Sequence, residues 1–299
     1  MKIKVLLASY NGAKYIKDQI NSIIGQEEVK TEIVVSDDGS KDHTVEIIRD
    51  SFPNIYINTN NPNSGSAAKN FLKMIQDLDL NSDFDFVAFS DQDDLWLSKK
   101  MIAAVSLINK ENASLYCSNL TKWDTINNVF SNLKKDFPQK SFDFLFEGGS
   151  AGCTYVFTKD FAKVLQESLI SLDTNNWKEF SHDWLVYFFA RANNYKVVID
   201  GNSYIHYRLH DANVHGHLNK LSLATIINKS KHVFNGYYQN NALHYIKLLD
   251  KTSESFKIYE SFLGGYFKRN AVIWKYNTKL MRDKKKFVIF ALLNVLKLR

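Results

Sequence analysis

The first hundred residues alternate apolar runs short enough for strands with stretches spaced for helices, and this alternation constrains the fold more than any other feature of the chain. Residues 3–8 form an apolar run, and residues 13–24 set Ile16, Ile20, Ile23 and Ile24 on one helical face. A second run, 32–36, leads into Asp37-Asp38-Gly39-Ser40, and 44–50 has the pattern of a second helix. Residues 55–58 give a third strand, 67–78 a third helix, and 84–89 a fourth strand that ends in Ser90-Asp91-Gln92-Asp93-Asp94. Repeated strand–helix units predict a parallel sheet covered by helices. Such units place the carboxyl ends of their strands along one edge, where open α/β sheets bind ligands. Ser9-Tyr10-Asn11, Asp37-Asp38 and Asp91 to Asp94 fall at three such ends.

Downstream the pattern is mixed. Residues 101–110 look helical, 113–118 strand-like, 148–152 a flexible turn, 154–157 a strand, 183–192 an aromatic-rich helix and 196–200 a strand. From about 218 the chain reads as helical and rich in bulky aromatic residues, so the expected division is 1–217 and 218–299. Charge follows a similar division. Residues 1–200 carry 21 basic and 27 acidic side chains, net −6, whereas 201–299 carry 17 and 5, net +12. Only 3 prolines and 45% hydrophobic residues exclude a disordered chain. Two cysteines, Cys117 and Cys153, are too few for a disulfide framework and suit a reducing compartment. The first apolar run is too short for a signal peptide, and no window of about 20 apolar residues predicts a spanning helix.

Three carboxylates in four positions, Asp91, Asp93 and Asp94, repel one another, so a fold that keeps them together needs a cation nearby or uses them to cap a helix entered at Leu95. Hard oxygen ligands suit Mg²⁺ or Mn²⁺. Asp37 or Asp38 at a second strand end can accept from a nucleobase or ribose, with Tyr10 and Asn11 offering an aromatic face and an amide. By itself Asp183 reads first as a cap, with Ser181 and His182, for the helix that follows. His206, His210, His215 and His217 lie within twelve residues but fit no common zinc spacing; His210 is the preferred member of a metal or diphosphate pocket.

In order along the chain, Ala8-Ser9-Tyr10-Asn11-Gly12, Val34 to Ser40, Asn63 to Asn70 and Ser90-Asp91-Gln92-Asp93-Asp94 resemble the motifs of family 2 inverting glycosyltransferases with the GT-A fold. Gly152-Cys153-Thr154, His182-Asp183-Trp184 and Tyr207-Arg208-Leu209-His210 are similar to those of its bacterial rhamnosyltransferase-like branch. The resemblance covers residues 1 to about 217. It implies a GT-A type, Rossmann-like central mixed sheet flanked by helices, with a C-terminal helical extension. It further implies that Asp183 is the general base and that Ser9, Tyr10, Asn11, Asp37, Asp38, Lys69 and Asp91 bind the nucleotide, leaving open which of Asp37 and Asp38 meets the base. Asp93, Asp91 and His210 would hold Mn²⁺ or Mg²⁺, Arg208 would contact the diphosphate, and Gly149 and Trp184 would lie on the acceptor side. Lys69 replaces an arginine common in that segment, so it would meet phosphate as a point charge rather than a fork. A Gln-x-x-Arg-Trp pattern is absent, which favours addition of one or a few sugars.

The expected activity is transfer of a sugar, rhamnose from dTDP-rhamnose or a hexose or N-acetylhexosamine from a UDP-sugar, onto a saccharide in bacterial cell-surface polysaccharide (capsule) synthesis. A non-catalytic nucleotide- or polyanion-binding scaffold is the alternative of a different class. The C-terminal basic residues beside apolar 287–296 have the profile of an interfacial helix on anionic lipid, with a homodimer contact as the competing reading. A lipid-linked acceptor and a cytoplasmic, peripheral position at the inner face of the membrane follow from that profile. The acidic strand ends exclude a nucleic-acid groove.

Overall fold

The structure, a computed structural model, describes residues 1–170, 172–209 and 233–297. The chain forms two compact units: Met1–Asp136, Gly149–Leu172 and Ser181–His210 make the first, and Phe137–Gly148, Asp173–Phe180 and Asp211–Arg299 the second.

In the first unit, strands β1 (Lys2–Ser9), β2 (Lys30–Asp37), β3 (Tyr56–Thr59) and β4 (Phe86–Ser90) are parallel in the order β3-β2-β1-β4. Ile3, Val5, Leu6 and Leu7 of β1 are all buried, as a parallel strand covered on both faces requires. Helices α1 (Ile16–Ile24), α2 (Thr44–Ser51) and α3 (Ala67–Gln76) connect them. Ile16, Ile20 and Ile23 supply the buried stripe of α1, and Ser66 caps α3 by accepting from Lys69 N at 3.2 Å. Strand order reverses between β1 and β4, so the topological switch point lies between Ser9 and Ser90.

Beyond β4 the sheet becomes mixed, as expected. Strand β5 (Leu95–Trp96) leads to α4 (Lys100–Glu111), followed by β6 (Leu115–Asp124), β7 (Val129–Leu133), β8 (Val156–Thr158), α5 (Lys159–Leu169), α6 (His182–Ala192) and β9 (Val197–Leu209). The full path is β3-β2-β1-β4-β8-β6-β9-β5, with β7 pairing β6. Four expectations are corrected here. Asp91 to Asp94 precedes a two-residue strand rather than capping a helix at Leu95, because Leu95 and Trp96 pair with His206 and Ile205. The expected strand 154–157 begins later, since Gly152–Thr154 is a 3₁₀ turn. Gly149 and Ser150 are buried, so the glycine-rich segment is packed rather than flexible. The strand expected at 196–200 runs on to Leu209, so Tyr207 to Leu209 lie within β9.

The second unit contains α7 (Tyr237–Tyr245), α8 (Glu254–Leu263), α9 (Tyr266–Lys275) and α10 (Lys284–Leu296). Two earlier segments belong to it as well. Phe146 packs its ring against Tyr259, Phe262 and Phe290, with centroids 5.8, 5.0 and 5.2 Å apart. Buried Arg282 pairs with Glu147 at 3.1 Å and Asp143 at 3.6 Å, and Trp177 Nε1 donates to Asn241 Oδ1 at 2.9 Å. Among the described residues no helix is long and apolar enough to cross a membrane.

Candidate active site

The switch point carries the polar residues that the sequence places at strand ends. Tyr10 follows β1 and Gln92 follows β4, and their hydrogen bonds span the gap: Tyr10 N donates to Gln92 Oε1 at 2.8 Å, and Gln92 Nε2 donates to Tyr10 O at 2.9 Å. Gln92 thus holds the acidic run against β1. Gly12 makes room for it, since a Cβ there would lie 2.1 Å from Gln92 Oε1. Neither Gln92 nor the need for Gly12 was expected, although an amide amid three carboxylates at a strand end was visible.

The two neighbouring aspartates after β2 do different work. Asp37 is fully buried; its carboxylate accepts from Ser9 Oγ (2.9 Å), Ser40 N (2.8 Å), Gly39 N (3.2 Å) and Ser40 Oγ (2.5 Å). Asp38 turns instead toward the segment before α3, where its oxygens accept from Ser64 N (2.6 Å), Asn60 Nδ2 (3.0 Å) and Gly65 N (3.2 Å). Gly39 and Gly65 take φ of +81° and +87°, which glycine adopts without the steric cost of a Cβ. Asn11 ties the same loops together, donating from its N–H to Ser40 Oγ and accepting from Lys41 N, both at 2.8 Å. Half-exposed Tyr10, with Ser40, Lys41, Thr59, Asn60 and Asn63, borders a recess of about 350 Å³ at these strand ends. Lys69 stands in the first turn of α3 close to Ser66, while Lys73, a turn later, donates to Asn60 Oδ1 at 2.8 Å.

The acidic run is electrostatically strained. Burial, and then the charges of Asp93 and Asp183, push the Asp91 carboxyl up to about 7. Asp94 is fully buried and its carboxyl is raised well above the usual range by burial and then by Asp93 and Asp91. Among the described residues neither Asp94 oxygen has a hydrogen bond of ordinary geometry, although the Cys153 thiol beside it favours its ionised form. One ligand atom each from Asp91, Asp94 and Cys153 lies within 4.8 Å of the others. A divalent cation among these groups would relieve the repulsion, so the residues fit one. The two carboxylates are donors for Mg²⁺ or Mn²⁺, whereas burial keeps the Cys153 thiol protonated. Asp94 belongs to the carboxylate cluster read from the sequence, but Asp93 was the ligand expected beside Asp91 and Cys153 was not expected at all; His210 lies outside the described residues.

Two further basic groups support this run. Arg208, nearly buried, sits between the rings of Tyr15 and Trp123, 4.7 and 4.9 Å from their centroids. Its Nε donates to Asp93 O at 3.0 Å and its Nη2 to Asp18 Oδ2 at 3.4 Å, so these N–H groups hold the loop itself. Lys100, buried with its ammonium 3.7 Å from the Trp96 ring centroid, has its pKa lowered to about 7 by burial, which outweighs the opposing influence of the neighbouring Cys153 and Asp94.

Asp183 comes from the first turn of α6, which Ser181 caps. Its Oδ1 accepts from Trp184 N at 2.7 Å and from Ser181 Oγ, leaving Oδ2 without a protein hydrogen bond among the described residues. The capping role and the position beside Asp91 therefore coexist. His182 is stacked on Phe71 at 4.2 Å and set edge-on to Phe89 at 5.5 Å; burial lowers its pKa despite the Asp183 charge. A Cβ at residue 152 would lie 2.2 Å from His182 Nε2, which accounts for Gly152. Trp184 and Gly149 are both buried: the indole is 3% exposed, and a Cβ at Gly149 would come within 2.8 Å of Tyr187.

Comparison with known proteins agrees with this geometry. The family model described as Glycosyl transferase family 2 matches residues 4–162. The chain is 36% identical over 211 residues, 69% of its length and 72% of the relative's, to the dTDP-rhamnosyl transferase RfbG of Shigella flexneri. It is 30% identical over 158 residues, 52% of its length and 58% of the relative's, to the Escherichia coli UDP-Glc:alpha-D-GlcNAc-diphosphoundecaprenol beta-1,3-glucosyltransferase WfgD. Crystal structures of S. aureus TarS 1-349, alone and with UDP, superpose with a TM-score of 0.59, covering 99% of this chain and 80% of theirs at 16% and 17% identity. With the motifs, the mixed sheet and more than half of the chain in agreement, this protein belongs to glycosyltransferase family 2 and is an inverting glycosyltransferase.

Proposed function

We propose that this enzyme transfers rhamnose from dTDP-rhamnose to a saccharide hydroxyl during bacterial cell-surface polysaccharide synthesis. The observation that carries the donor assignment is the 36% identity to a dTDP-rhamnosyl transferase across 69% of the chain. The recess beside Tyr10 and Ser40 suits the nucleoside, with Asp38 and the Ser64–Gly65 turn at its border and Asp37 bracing the loop from behind. Lys69 and Arg208 are the cations assigned to the donor's diphosphate, Arg208 through whatever N–H capacity its contact with Asp93 leaves.

Asp91 and Asp94, with Asp93 beside them, would hold Mg²⁺ or Mn²⁺, and His210 is retained as a further ligand. When bound, such an ion supplies positive charge opposite the diphosphate as it departs. Asp183 acts through its free Oδ2: it orients the acceptor hydroxyl and takes its proton as the oxygen attacks the anomeric carbon in line with the leaving group. Ser181 and Trp184 N, both bonded to Oδ1, fix the direction of the other oxygen. Gly149 and Trp184 are assigned to the acceptor side as packing groups behind the surface, given their burial. A lipid-carried acceptor would bring the enzyme to the inner face of the cell membrane.

A second reading, transfer of a hexose or N-acetylhexosamine from a UDP-sugar, is favoured by the likeness to a UDP-glucose-dependent glucosyltransferase. Nucleotide release from a panel of dTDP- and UDP-sugars in Mn²⁺ or Mg²⁺ distinguishes the two: turnover of dTDP-rhamnose alone is expected, and exclusive turnover of a UDP-sugar overturns the first reading. Asp183→Asn should lower turnover about a hundredfold or more while leaving α6 capped by Ser181. Activity within tenfold of the parent would remove Asp183 from its role.

A further inference from the structure

We propose that α9 and α10 of the second unit form a docking surface for an anionic phospholipid bilayer. The proposal is independent of the donor and of the catalytic assignments. Helix α10 has apolar residues all around, yet it buries only Phe290, Ala291 and Asn294. Val288, Leu292 and Leu296 follow one another at four-residue spacing, with Ile289 beside them, and they are 53, 56, 67 and 56% exposed respectively. Helix α9 likewise leaves Phe267 and Trp274 bare, seven residues apart and therefore on one face. Beyond its three opening lysines α10 is apolar on every side but covered on one, so it has an apolar face still to bury.

Charge identifies the occupant. Lys284 and Lys285 open α10 and are exposed, as is Lys286, which also pairs with Glu147 at 3.8 Å; Lys268, Lys275 and Lys279 are exposed on and just after α9. Bare aliphatic and aromatic side chains beside exposed lysines match the interface of a bilayer: the apolar groups enter the acyl boundary and the ammonium groups meet lipid phosphates. Neither helix carries an Asp or Glu, so the same face of a second copy would offer these lysines no opposite charge. An anionic lipid surface is complementary to both the bare face and its charge.

The full chain is sedimented with vesicles of phosphatidylcholine alone and of phosphatidylcholine containing about 30% phosphatidylglycerol, at low salt and at about 0.5 M NaCl. Binding to the phosphatidylglycerol vesicles alone, weakened by salt, is expected. Removing two lysines together (Lys284→Ala, Lys285→Ala) should weaken partition about 25-fold, at roughly fivefold per lysine. The variant Ile289→Ser with Leu292→Ser should weaken it at least about tenfold. Both sites are exposed, so an unchanged melting temperature verifies folding of each variant. The proposal is overturned if the parent ignores phosphatidylglycerol, binds both vesicle types equally, or forms a dimer that the two serines dissociate without vesicle binding.

Discussion

Replacing Gly12 by alanine tests how the acidic run is held. The new methyl would sit 2.1 Å from Gln92 Oε1 and 2.6 Å from its Cδ, so the flexible amide must swing away from the Tyr10 backbone. The two bonds lost, at 2.8 and 2.9 Å, are accessible to water, which replaces them in part; about 0.5 kcal/mol each, or about 1 kcal/mol in total, is expected. For a chain of this size that is a fall of about 2 to 4 °C in melting temperature. Activity should suffer more than stability, because Gln92 stands between Asp91 and Asp93 and its release loosens both. A tenfold loss of kcat/KM corresponds to about 1.4 kcal/mol. Gln92→Ala should match Gly12→Ala in both measurements. In the double variant the methyl finds no amide to displace, so the combined loss should equal that of Gln92→Ala alone. Scanning calorimetry and nucleotide-release kinetics on all four proteins provide the cycle. If Gly12→Ala costs as much in the Gln92→Ala background as in the parent, Gln92 is not what Gly12 accommodates.

Two further variants probe the supports of the site and the second unit. Burial holds His182 below its ordinary pKa, with Asp183 the charged group that opposes the shift, so the unfolded chain binds more protons than the folded one below about pH 6.5. Stability therefore falls as pH drops through that window, by no more than about 1.4 kcal/mol per unit; His182→Phe should flatten urea-unfolding free energies between about pH 5 and 7, and an unchanged pH slope would refute the assignment. In the second unit, Arg282→Ala takes the buried guanidinium from the fully buried Asp143, leaving it the Lys140 N–H, and leaves the nearly buried Glu147 to Lys286 at 3.8 Å; it should cost about 3 kcal/mol in urea unfolding. A loss under about 1 kcal/mol would mean that water reaches these carboxylates.

The parallel half of the sheet was legible because β1 and β4 are buried along almost their whole length and β2 over its second half, so each shows an apolar run followed by polar residues, and the short, partly exposed β3 follows from the helix on either side of it. The edges were not. In β7, Val129 and Phe130 are exposed, so burial leaves no alternation to read, and β5 is two residues long. Gly201-Asn202 looks like a strand end, yet β9 continues to Leu209 through irregularities in its pairing with β6. Of the site, the carboxylates announced themselves by clustering. What each one does was hidden, since Asp37 and Asp38 differ only in which loop's N–H groups reach them. Arg208 read as a cation for phosphate; its bond to Asp93 O arises from strand register 115 residues away and has no local signal.

The interleaving of residues 137–148 with the C-terminal helices also sets a timetable for synthesis. Glu147 precedes its partner Arg282 by 135 residues, and Phe146 precedes Phe290 by more. At roughly 5 to 20 residues per second, a ribosome needs on the order of ten seconds to cover that interval. Throughout it the aromatic ring of Phe146 and the acids Asp143 and Glu147 lack the side chains that will bury and neutralise them. The nascent chain is thus most open to chaperones, and to association with its neighbours on a polysome, after its nucleotide-binding sheet has been made.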